Sequence, residues 1–117
     1  MPKTNITPVN EREIAEDLMS MGFRPNYLGY RYLIEAVQLH IDTPTAVRAL
    51  HKGIYEEIAR RYGTTVSRVE RGIRYAIETV HDHGGPKWYN LFPGEDKPTN
   101  GQAIATIAER HRLRRVG

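Results

Sequence analysis

The feature that most constrains the fold of this chain is one glycine, Gly63, which lies between two stretches of helical periodicity. Ala59 precedes it by four residues and Val69 follows it by six. A helix-turn-helix needs a small residue where its helices cross, a turn residue that tolerates positive φ, and an apolar anchor on the second helix. These three residues meet those needs in order. The segment 55–75 therefore predicts a helix-turn-helix rather than an ordinary helical hairpin.

The rest of the chain also has helical periodicity, and no stretch shows the sustained alternation that is typical of a strand. Helices are expected to begin near Asn10, Pro25-Asn26, Thr43-Pro44, Ile54, Thr65 and Thr99. One or two further helical turns are expected at 87–92, with the aromatic residues there acting as a core plug. The expected class is all-α, a compact domain of about six helices. Residues 1–9 are expected to be a flexible lead, and 10–117 the single domain.

Composition excludes several kinds of chemistry. The chain has 117 residues and no cysteine, so disulfides, thiolate metal sites and a cysteine nucleophile are impossible. No apolar run is long enough to span a bilayer, so we expect no membrane contact and a cytoplasmic, nucleoid-associated protein. His81 and His83 are two residues apart, so their rings would leave different sides of a helix. We therefore expect no metal, no cofactor and no enzymatic activity.

Arginine is concentrated in two places, although the net charge is only +3. Residues 60–75 hold five arginines against one glutamate. A second cluster consists of Arg110, Arg112, Arg114 and Arg115. The planar guanidinium suits phosphate and guanine, so the first cluster favours a polyanion partner over a merely solvated helical face. The second cluster is left with three alternatives, which are contact with DNA, with a neighbouring copy or with solvent alone.

The second helix of the motif divides into two faces. Its apolar residues recur at spacings of three and four and form an inward stripe, Val66, Val69, Ile73, Ile77 and Val80. On the other face Arg68 and Arg71 are one turn apart, and each can form a fork with guanine N7 and O6 in the major groove. Glu70 either accepts from a cytosine amino group or orients Arg74.

Other polar residues beside this helix are better placed for phosphate oxygens, which fix position rather than sequence. These residues are Thr64, Thr65, Ser67, Arg74 and Tyr75. Gly72 lowers helix stability. We therefore expect a close approach there, either by the first helix of the motif or by the DNA backbone. An alternative to DNA binding is a protein-interaction module or antagonist, in which the motif binds a regulator or RNA polymerase.

Four segments resemble one known family. Residues 64–78 closely resemble the recognition-helix pattern T-T-x-S-R-V-E-R-x-I-R-x-A-I-E of the sporulation master response regulators (stage 0 protein A) of endospore-forming bacteria. Residues 29–36 are similar to the family's G-Y-x-Y-L-x-E-A helix, and 55–62 to its Y-x-x-I-A-x-x-F/Y segment. Lys97-Pro98-Thr99-Asn100 matches its K-P-T-N signature. The resemblance covers roughly residues 10–115 and falls on the C-terminal effector domain.

The resemblance implies an all-helical domain that binds double-stranded DNA as a sequence-specific transcription factor. It implies base reading by Arg68, Glu70 and Arg71, and backbone contacts by Ser67, Arg74, Lys97 and Thr99. Neighbouring domains in the family bind tandem sites as a homodimer through their last helices, and the region after the recognition helix contacts the sigma subunit of RNA polymerase. Full-length family members carry an N-terminal receiver domain. We therefore expect either an excised effector domain or a free-standing relative without the phosphorylation switch.

Overall fold

The computed structural model describes residues 11–43 and 53–116, with side chains to residue 113. Within these ranges the chain forms helices and no strand, so the all-α prediction is confirmed. The helices are α1 Glu11–Met21, α2 Leu28–Asp42, α3 Tyr55–Tyr62, α4 Val66–His83, α5 Pro86–Leu91 and α6 Asn100–Val116. The proposed lead at 1–9, the Asn10 cap and the short helix expected after Thr43 lie outside the described ranges. None of the helices above combines the length and the apolar character needed to cross a membrane.

Helix α2 is the centre of the fold and packs against α1, α3, α4 and α6. Its buried residues point to several sides, so it cannot have one apolar stripe only. Tyr32, Leu33, Ile34, Ala36 and Val37 are all nearly inaccessible to solvent. Burying each of the large aliphatic side chains contributes about 1.5–3 kcal/mol. The two helices of the helix-turn-helix, α3 and α4, therefore pack against a helix that α1 and α6 also contact.

The contact between α2 and α4 is a close backbone crossing made by two glycines. The Cα of Gly29 lies 3.6 Å from the position that a Cβ on Gly72 would occupy, and the Tyr32 ring lies 3.3 Å from that position. This explains Gly72, for which we expected the first helix of the motif or DNA to pass close by. The neighbour is α2 instead. Helix α4 thus packs directly against α2.

The segment after α4 is fixed by one buried aromatic residue. Trp88 is fully buried on α5 and packs against Phe23 and Phe92 with ring centroids 5.6 and 4.5 Å away. Its indole N–H donates to Nδ1 of His81 at 3.0 Å, so Nε2 of the same ring carries the proton and donates to the Glu95 carbonyl, also at 3.0 Å. The predicted helical turns are confirmed, and Trp88 with Phe92 forms the core plug, whereas Tyr89 is exposed. Through His81, the plug also fixes the loop that leads to α6.

Candidate nucleic-acid interface

The turn between α3 and α4 has the geometry that its sequence predicts. Gly63 adopts a left-handed conformation with φ +61°. The N–H of Thr64 donates to the Ala59 carbonyl at 2.9 Å, and that of Gly63 donates to the Arg60 carbonyl at 3.4 Å. This pair of bonds is the Schellman ending of a helix. With Ala59 and Val69 both buried at the crossing, the predicted helix-turn-helix is present.

Two arginines of the first cluster pair with acidic residues of the domain, and Arg61 also ties α3 to α2. Arg61 donates to Glu35 of α2 at 2.7 Å and to Glu57 at 2.8 Å, and the Tyr62 hydroxyl donates to Glu35 at 3.2 Å. Arg60 also donates to Glu57, and hydrogen bonds from Arg60 and then Arg61 hold the pKa of the Glu57 carboxyl below its usual range. Arg61 is thus held against α2, whereas Arg60 is exposed and its pair within α3 opens at low cost. The arginine density of 60–75 therefore overstates, by Arg61, the positive charge that is open to a polyanion.

Helix α4 has one buried and one open face. Val69, Ile73, Ala76, Ile77 and Val80 are buried, whereas Val66 at the start of the stripe is only partly covered. On the opposite side Ser67, Arg68 and Arg71 are exposed. Among the residues that the structure describes, neither Arg68 nor Arg71 has an ion-pair partner. These two guanidinium groups are therefore available to a ligand in front of the helix.

Glu70 and Arg74 form an ion pair one turn further along α4. Their closest atoms, Oε2 and Nη1, are 3.4 Å apart, and both side chains are substantially exposed. An exposed pair of this kind contributes little to stability and opens at low cost. The geometry matches the orienting role that the sequence offered for Glu70, and it leaves Arg74 free to exchange its partner.

Two of the predicted phosphate-contacting threonines also cap helices. The Thr65 hydroxyl oxygen accepts from the Arg68 N–H at 3.1 Å at the start of α4. Thr99 and Gln102 form a reciprocal capping box at the start of α6, with distances of 3.1 and 2.9 Å. In both caps the hydroxyl acts as the acceptor, so its own hydrogen remains available to donate to an anion.

The fold brings the start of α6 against the middle of α4, although the two are far apart in the sequence. The Asn100 side-chain amide donates to the Glu70 carbonyl at 3.0 Å. Lys97 Nζ lies 3.9 Å from Glu78 Oε2. A cleft of about 410 Å³ lies between these elements, lined by Arg74, Lys97, Thr99 and their neighbours. Of the predicted residues, Glu70 and Arg74 of α4 and Lys97 and Thr99 of the K-P-T-N segment therefore share this cleft.

Most of the chain matches one known protein family. The family model for the sporulation initiation factor Spo0A C terminal matches residues 14–111. The chain belongs to this family. Spo0A C-terminal domains are DNA-binding effector domains of sporulation response regulators. Theirs is a family of regulatory domains and not a family of enzymes. The resemblance read from four segments of the sequence is thereby confirmed.

One residue beside the Spo0A-type recognition helix was missed in the sequence. Tyr27, at the N-cap of α2, packs edge-on against Tyr75 with ring centroids 6.4 Å apart and an interplanar angle of 72°. Tyr75 is 62% exposed. The contact with Tyr27 therefore restricts the directions in which the Tyr75 ring can point. No local pattern marks Tyr27, because its contact depends on the crossing of α2 and α4.

The described arginines of the second cluster face inward. Arg110 donates to Asp17 at 2.7 Å, and Arg112 donates to the His40 carbonyl at 3.2 Å and pairs with Glu109. Burial and then the Arg112 charge lower the pKa of His40, which keeps this ring neutral beside the guanidinium. None of the three alternatives that the sequence left open describes these contacts. The side chains of Arg114 and Arg115 lie outside the described part of the structure.

The histidines that the structure describes do not form a metal site. Within residues 11–43 and 53–116, no group of three histidine, aspartate or glutamate side chains could hold a metal ion. His81 uses both ring nitrogens in the Trp88 and Glu95 contacts, and His83 is exposed.

Proposed function

We propose that this chain is a sequence-specific DNA-binding transcription factor domain that reads the major groove with the helix at 65–83. The observation that carries the proposal is the pair of exposed guanidinium groups, Arg68 and Arg71, on the open face of α4. Neighbouring arginines are matched by acids within the domain, whereas these two have no ion-pair partner among the described residues. Arginine forks of this kind are the commonest base-specific contacts to guanine.

The division of labour that we propose follows from exposure and position. Arg68 and Arg71 read bases, and Glu70 either accepts from cytosine or holds Arg74 in place. The backbone contacts come from Thr64, Thr65, Ser67, Arg74, Tyr75, Lys97 and Thr99. The hydroxyl hydrogens of Thr65 and Thr99, and the exposed charges of Arg74 and Lys97, support this second role.

Two protein partners complete the proposal. Copies of the domain bind adjacent DNA sites as a tandem homodimer through α6, whose outer side carries the largely exposed Leu113 beside a shallow hollow formed by Ala105, Thr106 and Glu109.

The sigma subunit of RNA polymerase contacts the segment after α4. Because Trp88 is buried there, the surface offered to sigma consists of its exposed neighbours, such as Tyr89 and Asn90.

Replacing Arg71 by alanine is expected to weaken binding to a specific site by about 1–3 kcal/mol and to relax the preference at one base position. Arg74→Ala is expected to weaken specific and random duplexes alike, because a phosphate contact carries no sequence information. Dissociation constants on a duplex recovered by selection from random DNA, and on a scrambled duplex, separate the two. Arg12→Ala, an exposed arginine on α1, is the matched control. Equal losses on both duplexes for both variants would contradict the assigned roles.

The salt dependence of binding distinguishes DNA recognition from a protein-interaction module. If several cationic side chains neutralise phosphates, the logarithm of the binding constant falls by about 0.9 per phosphate for each unit in the logarithm of salt concentration. We expect a steep loss of affinity between low and moderate salt in titrations with the selected duplex. A flat response, or no retention on DNA at low salt, would favour the interaction module instead.

A further inference from the structure

The residues proposed to contact DNA belong to two separate elements. Arg68, Arg71 and Arg74 lie on α4, whereas Lys97 and Thr99 lie on the loop and cap that precede α6. A rigid duplex presents its bases and phosphates at fixed intervals, so both groups can bind together only if the distance between the two elements is also fixed. Some contact must therefore set that distance.

The position of α4 on α2 is already fixed by the Gly29–Gly72 crossing, which does not involve α6. The loop before α6 is anchored at Glu95 by His81. After Glu95 the loop approaches α4 again at Lys97, whose Nζ lies 3.9 Å from Oε2 of the half-exposed Glu78. A pair this long and this exposed holds the loop weakly. The next firm connection to α4 is the hydrogen bond from Asn100 to the Glu70 carbonyl.

Asn100 is free to make this connection because it does not cap its own helix. The capping side chains are Thr99, which accepts from the Gln102 N–H, and Gln102, which accepts from the Thr99 N–H. The Asn100 amide instead crosses to the backbone of α4. One side chain thus joins the start of α6 to the second helix of the helix-turn-helix.

We propose that Asn100 is a positioning residue that holds Lys97 and Thr99 in register with the recognition helix. The proposal rests on the DNA-binding function proposed above. Its bond is made to the backbone carbonyl of Glu70, between Arg68 and Arg71, so it fixes the loop to the part of α4 that carries the proposed base-reading residues. Asn100 itself touches neither base nor phosphate in this role, and acts through Lys97 and Thr99.

The test is a double-mutant cycle between positions 100 and 97, with the selected duplex as the probe. In the wild-type background, Lys97→Ala is expected to reduce the salt slope by about 0.9, the value for one phosphate. In the Asn100→Ala background the same change is expected to reduce it by almost nothing, because Lys97 no longer meets its phosphate. The base preference should survive in Asn100→Ala, since α2 still seats α4. Asn100→Gln, which keeps the amide donor, should restore part of the slope.

The controls separate the possible outcomes. Asn26→Ala changes an exposed asparagine in the turn before α2 and should leave the cycle additive. If Asn100→Ala does not fold, as judged by circular dichroism, Asn100→Ser replaces it and keeps a short polar residue at the helix start. An unchanged effect of Lys97→Ala in the Asn100 variant, or no effect of Lys97→Ala in the wild type, would overturn the positioning role alone. Absence of salt-sensitive DNA binding by the wild type would overturn the proposed function, and this role with it.

Discussion

Replacing Gly29 by alanine is expected to destabilise the domain by about 3 kcal/mol or more, at the upper end of what overpacking costs. The added Cβ would lie 2.0 Å from the carbonyl oxygen of Gly72 and 2.6 Å from its carbonyl carbon. Both atoms belong to the backbone of α4, so no side chain can rotate away to make room. The helices must separate, and every buried contact along their crossing weakens with them.

Two other glycines provide matched controls in urea unfolding followed by circular dichroism. At Gly53 an added Cβ meets nothing within 4 Å, so alanine there should leave stability unchanged or raise it slightly. At Gly72 the Cβ would come 3.3 Å from the Tyr32 ring, and the gain in helix propensity offsets much of this crowding. We therefore expect a severe loss for Gly29→Ala and a small change for Gly72→Ala. Similar losses at both positions would show that the crossing does not depend on the Gly29 contact.

The parts of the fold that the sequence predicts correctly are local ones. Gly63 in its left-handed turn, the Thr65 cap and the Thr99–Gln102 box each depend on residues no more than five positions apart. At that range the backbone fixes which groups can meet, so the pattern of residue types is sufficient. The inward stripe of α4 follows from periodicity in the same way, apart from Val66 at its edge.

The parts that the sequence does not predict depend on distant pairs. The neighbour of Gly72 is Gly29, and the partner of Tyr75 is Tyr27. In both pairs the second residue lies on or beside α2, far from α4 in the chain. No spacing rule connects such residues, because their distance is set by how α2 crosses α4. The pattern could show that Gly72 needs a close neighbour, but not which element supplies it.

Arginine density illustrates the same limit for the site. Five arginines in 60–75 suggest one basic surface, yet Arg60 and Arg61 are matched by Glu57 and Glu35. Glu35 is 26 residues from Arg61, so its effect on the charge of this surface cannot be read locally. The basic surface that remains open is therefore narrower than the composition indicates, because Arg61 is committed to a partner on another helix.

Replacing Asp17 by asparagine is expected to destabilise the domain by about 3 kcal/mol, the lower end of the cost of breaking a buried ion pair. The Asp17 carboxylate is 3% exposed and lies 2.7 Å from Arg110, 3.0 Å from His111 and 3.1 Å from Lys87. It therefore ties α1 to α5 and α6. Arg110 and Lys87 are partly exposed and regain hydration in the variant, whereas the His111 ring is buried and does not. That difference places the expected loss at the lower end. Asp82→Asn, at an exposed position, is the matched control and should change stability by no more than about 0.5 kcal/mol.

The pH dependence of unfolding provides an independent measurement of the Asp17 contribution. Burial acts to raise the pKa of its carboxyl, but hydrogen bonds from His111, Lys87 and Arg110 outweigh burial and hold the pKa well below its usual range. The unfolded chain has a pKa of about 3.9 at this residue. The contribution is therefore fully present above about pH 5 and is lost as the pH falls toward the lower pKa of the folded state. The melting temperature of the wild type should fall as the pH is lowered across this range. In Asp17→Asn the slope of the free energy of unfolding against pH should be smaller, by up to the amount that uptake of one proton contributes. Parallel curves for the two proteins below pH 5 would show that the carboxylate is not stabilised by its three neighbours.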